Sequence, residues 1–103
     1  MQPLRTEPFP VAAARDLLGL VRALYLVWRA QDAGGSDRLR ALESVGLDLR
    51  LALDNARVMR APNTPQQAAA WMLAERAIAT LGEHEAMGPV VAAAAGRVRK
   101  GAG

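Results

Sequence analysis

The sequence predicts an all-α protein, a small antiparallel bundle of three to four helices built on a long helical hairpin. Three observations carry this. Two long stretches repeat apolar residues every three or four positions. Glycine and proline fall in clusters between such stretches, where they punctuate helices. Alanine occurs 22 times while no run shows the apolar–polar alternation of a strand. At 103 residues the chain suits one cooperative core. The expected organisation is an irregular N-terminal arm at 1–9, a single bundle at 10–100 and a flexible tail at 101–103.

Pro3, Pro8 and Pro10 fix φ and disfavour helix before them, so the arm should stay irregular until Pro10 starts helix one. That helix is expected to reach about Asp32, with Gly34 and Gly35 stopping it. Its core face is Leu17, Leu18, Leu20, Val21, Leu24, Tyr25, Val27 and Trp28. Ala12, Gly19, Ala23 and Ala30 lie opposite, small enough to admit a second helix, which predicts helix one as the centre of the bundle.

Ser36 and Asp37 cap helix two, expected to run to about Met59. Leu39, Leu42, Gly46, Leu49, Leu53 and Ala56 form a seam at alternating spacings of three and four, suited to packing against helix one. Leu47, Leu51 and Val58 form a second stripe that a hairpin alone leaves uncovered. Two covers are open: helices three and four of the same chain, or another subunit. Helix four is too rich in alanine to cover much. These three residues are therefore the candidate oligomer or partner interface.

After a loop at 60–63, Thr64-Pro65-Gln66-Gln67 reads as a capping box with proline at the first helical position, starting a helix that ends at Gly82. Trp71, Leu73, Ala74, Ile78 and Leu81 make it apolar over more than half its surface. Residues 83–87 should form one turn, and Val90 to Lys100 a weak fourth helix.

Several function classes recede. Cysteine is absent and histidine occurs once, which removes thiolate chemistry and leaves Glu83-His84-Glu85 without a second histidine to complete a zinc-type site. A solvated turn is expected there. Asp48 and Asp54 sit on different sides of helix two, and Glu43 has Arg50 one heptad away, so surface ion pairs explain the carboxylates. No catalytic residue, cofactor or metal is expected, and the chain is read as a non-enzyme. The most apolar run, Leu17 to Trp28, contains Arg22 and falls short of the roughly 20 residues that span a bilayer. No membrane association is expected, and cytoplasmic residence is the default.

The net charge of +3 is spread over the chain, so nucleic acid is permitted but not indicated. Arg15, Arg22 and Arg29, one per seven residues, read either as a phosphate track or as the solvated face of helix one, with the second preferred. Arg97, Arg99 and Lys100 read either as a phosphate-gripping arm or as favourable charge at a helix C-terminus, again with the second preferred.

Across residues 9–82, Phe9-Pro10, Leu18-Gly19, Leu47-Asp48-Leu49-Arg50-Leu51 and a glutamine-capped helix with Glu75 and Leu81-Gly82 follow one another. This pattern resembles the accessory variability determinant of diversity-generating retroelements and related small four-helix-bundle proteins. The resemblance implies a basic, ring-like homo-oligomer that binds nucleic acid and a reverse transcriptase and catalyses nothing itself. Arg15, Arg22, Arg29, Arg50 and Arg57 are then the candidate phosphate contacts. Arg50 lies in a matched motif; the others are chosen by surface position. The leading expectation remains a non-catalytic, self-associating helical module that serves as adaptor or scaffold for a protein partner. A nucleic-acid-binding accessory subunit of a retroelement-type reverse transcriptase complex is the alternative.

Overall fold

A computed structural model describes residues 5, 7–31, 37–57, 64–83 and 88–101. Helices α1 (Val11–Gln31), α2 (Asp37–Arg57), α3 (Thr64–Glu83) and α4 (Pro89–Lys100) make up a small all-α bundle, with no strand among the described residues. Helix ends follow the local chemistry. The Pro10 carbonyl accepts the first helical hydrogen bond, from the Ala14 N–H at 3.0 Å. Asp37 places a negative charge in the first turn of α2, and α3 begins at Thr64. Ser36, the loop at 60–63 and the turn at 84–87, His84 included, lie outside the described residues.

α4 is firmer than its composition suggests. Pro89 opens it, and it closes on Gly101, whose φ of 71° lets its N–H reach back to the Val98 carbonyl at 3.0 Å. Val91, Ala94, Ala95 and Val98 are buried.

The helices pack in the order α3, α2, α1, α4, with a lighter contact between α3 and α4. Within the α1–α2 hairpin, Arg38 stacks over Trp28 and Tyr25 reaches Glu43, which fixes an antiparallel register. Leu39, Leu42, Leu49 and Leu53 are buried, as the seam predicts, with Gly46 and Ala56 half-buried. The α3 side of α2 carries Val45, Asp48 and Ala52, all buried. The fully buried Ala70, Ala74 and Ala77 of α3 allow the two backbones to approach closely. Larger side chains fill the rest: Trp71, Leu17, Leu42, Leu49, Ile78 and Leu81 are almost wholly enclosed, and burying each such group contributes roughly 1.5–3 kcal/mol.

Two expectations need correction. α1 is not the single centre, because it shares that place with α2, and its small face is bare: Ala12, Gly19, Ala23 and Ala30 are all exposed. Val27, expected in the core, is 53% exposed. The small face is bare because α2 and α4 both pack on the opposite, larger-residue side of α1, whereas the exposure of Val27 follows from helix length. α1 has 21 residues and α4 only 12, so α4 can cover little more than half of α1. Burial along α1 accordingly stops at Val21, leaving Leu24, Tyr25 and Trp28 half-covered.

Candidate interaction surfaces

The described part of the N-terminal arm, Arg5 and residues 7–9, packs on the bundle. Phe9 is buried and meets the Trp71 ring edge-on, with centroids 5.2 Å apart. The Trp71 indole N–H donates to the Glu7 carbonyl at 2.9 Å. Arg5 lies over the same ring, 3.5 Å from its centroid. Its guanidinium pairs with Glu7 at 2.7 Å and Glu75 at 3.3 Å and donates to the Arg99 carbonyl at 2.9 Å. One arginine thus ties the arm, α3 and the end of α4 together. The sequence reading missed this cluster, since an irregular arm has no periodicity to betray its partner.

Asp48 is the second departure. It does not belong to a wet surface: it is 4% exposed and takes a two-pronged grip from Arg76, at 2.7 Å and 2.9 Å. This bond joins α2 to α3, and Asp48 makes the Arg76 guanidinium still harder to deprotonate, chiefly by accepting its hydrogen bonds. Glu43, in turn, does not turn to Arg50. It accepts the Tyr25 hydroxyl at 2.8 Å. That hydrogen bond, then burial and the carboxylate charge, raise the Tyr25 pKa, with Arg29 acting weakly against them.

Beside Tyr25 the hairpin is open. Val21, Tyr25, Leu26, Leu42 and Gly46 line an almost wholly apolar groove, with Arg22 and Glu43 at its rims. A side chain placed at Gly46 would start in open space, with nothing within 4 Å of its first carbon. A second, larger depression, on the outer side of α3, is lined by Ala69, Met72 and Leu73 beside Glu75 and Arg76.

The stripe on α2 points away from all three other helices. Leu47 is 57% and Leu51 40% exposed, while Val58 and the side chain of Arg57 lie outside the described residues. Helices α3 and α4 leave that stripe open because α3 packs against Val45, Asp48 and Ala52 and α4 packs against α1. Arg15, Arg22, Arg29 and Arg50 are exposed and hold no ion pair among the described residues. Arg97, Arg99 and Lys100 lie exposed in the last turn of α4, where positive charge complements the helix dipole. The Arg99 backbone, not its side chain, meets the arm.

Among the described residues, no three carboxylate or imidazole groups gather as a metal site would require, and no helix is long and apolar enough to cross a membrane. No protein-family model, curated protein or solved structure matches the chain, so the surfaces themselves carry the functional reading.

Proposed function

We propose that this chain is a non-catalytic helical interaction module that self-associates and serves as an adaptor for a protein partner. The observation that carries the reading is the Leu47–Leu51 stripe, uncovered on the back of a well-packed helix. Branched apolar side chains in water gain free energy by being covered, and a self-complementary patch on a small bundle is the simplest route to a symmetric dimer. Charge around the stripe is mixed, Arg50 and Asp54 lying close by on the same helix, so two copies can meet without like charges facing throughout. Sedimentation over a range of concentrations tests this. Wild type should exceed monomer mass and Leu47→Asp/Leu51→Asp should be monomeric with unchanged helical content; a wild type that stays monomeric overturns self-association.

Arg15, Arg22, Arg29 and Arg50, exposed and without ion pairs among the described residues, support a second reading, the nucleic-acid-binding accessory subunit implied by the resemblance to retroelement proteins. Several phosphate contacts require affinity for RNA or DNA to fall steeply as salt rises. Absence of binding at low salt removes that reading.

A further inference from the structure

The groove at Gly46 and the arginines of α1 belong to one face. Trp28 lies against Arg38 and Tyr25 against Glu43, so continuing the antiparallel register sets Arg22 abreast of Gly46 and Arg15 abreast of Leu53. At about 1.5 Å of rise per residue, Arg15, Arg22 and Arg29 run along roughly 20 Å of the seam's outer margin. Arg50 stands on the α2 margin. An apolar floor therefore lies between cations without ion-pair partners among the described residues.

We propose that this groove binds an acidic amphipathic helix of a partner protein. The partner's apolar stripe would sit on the exposed Leu26 and the half-buried Tyr25 and Gly46, above the enclosed Val21 and Leu42, and its flanking carboxylates would meet Arg15, Arg22, Arg29 and Arg50. A helix laid along two antiparallel helices adds a third to the bundle with ordinary packing geometry. Arginines spaced by seven match acidic residues recurring once per heptad on such a helix.

Charge decides against the other occupants. A second copy has no acidic stripe to offer. Glu7 and Glu75 pair with Arg5, Asp48 with Arg76 and Asp37 with Arg40, and Glu43 holds Tyr25. The remaining described carboxylates, Asp16, Asp54 and Glu83, are scattered over three helices. Nucleic acid would gain little from an apolar floor. The groove floor includes neither Leu47 nor Leu51, although Arg50 stands beside both surfaces.

The test uses the full chain and a fluorescein-labelled synthetic peptide with leucines at i, i+3, i+4 and i+7 and glutamates on the opposite face. A scrambled peptide of the same composition and a version with lysine in place of glutamate are the controls, read by fluorescence anisotropy. The acidic amphipathic peptide should bind wild type saturably and at least about tenfold more tightly than either control, a difference well within reach of a single well-packed contact set. Gly46→Leu fills the groove from open space and favours helix, so it should keep or raise the melting temperature while weakening binding about tenfold or more. Arg22→Glu, a surface change, should weaken it similarly. Leu47→Asp/Leu51→Asp should bind as wild type does. The proposal is overturned if the scrambled peptide binds equally, if Gly46→Leu and Arg22→Glu leave affinity unchanged, or if Gly46→Leu assembles to a lower molecular mass than wild type. Displacement of the peptide from wild type and from Gly46→Leu alike by a short RNA would overturn it too.

Discussion

The two tryptophans mark two regions built to different degrees of completion. Trp71 is enclosed by Phe9, Arg5 and the turn at Gly101, and its N–H is bonded. Trp28 sits half-covered at the far end of the hairpin, with Arg38 stacked on its face. Three segments of chain meet at the first ring: the arm, α3, which carries it, and the end of α4 at Gly101. The second belongs to a two-helix hairpin that outruns the neighbours able to cover it. A bundle of unequal helices therefore has a finished end and an unfinished one, and the apolar groove lies toward the unfinished one.

The largest expected effect separates these ends by stability. Trp71→Ala should cost about 4 kcal/mol, since it empties a tightly enclosed site. Trp28→Ala, losing a half-exposed ring, should cost about 1 kcal/mol. Denaturant unfolding checks both, and equal losses would break the comparison.

A smaller effect is expected at the Asp48–Arg76 link. Arg76→Met strands a buried carboxylate and should lower the denaturation midpoint. The double replacement Asp48→Leu/Arg76→Met should recover most of the loss, because it removes the buried carboxylate that Arg76→Met leaves unpaired. A double variant as unstable as Arg76→Met would show that the link does more than satisfy Asp48.

The smallest effect is at the open end. Tyr25 is the single tyrosine, so phenolate absorbance follows it directly. It should titrate above the ordinary value of about 10, and Glu43→Gln should bring it back down. Because the folded value is raised, the stabilising contribution is fully present below the unfolded pKa and is lost as pH rises through the folded one. A titration at the ordinary value would mean that the Tyr25–Glu43 bond does not hold the hairpin in solution.

What could be read in advance was whatever repeats along one helix. Leu39, Leu42, Leu49 and Leu53 show the α1 seam because bulky residues recur at three and four. The start of α3 was legible from Thr64 and Pro65, whose preferences are local. The other seam of α2 was hidden, because Val45, Asp48 and Ala52 include a charge and an alanine, and Asp48 goes inside only by virtue of Arg76 on another helix. Val27 misled for a converse reason: its position on the wheel is apolar, but how far a face is covered depends on the length of α4. At the candidate surfaces, Leu47, Leu51 and the arginine strip were visible one by one. The groove between Tyr25 and Gly46 was not, as it exists only across two helices.

The hydrogen bond from Arg5 to the Arg99 carbonyl joins residues 94 positions apart. During synthesis the hairpin of α1 and α2 can pair while the later helices are still being made, but the arm has no complete seat until residue 99 has emerged. Closure of the Trp71 end is thus the last step available to a chain growing from its N-terminus. A nascent chain halted before α4 could set its arm against Trp71 and Glu75 of α3 but would lack the Arg99 carbonyl and the Gly101 turn that complete that end.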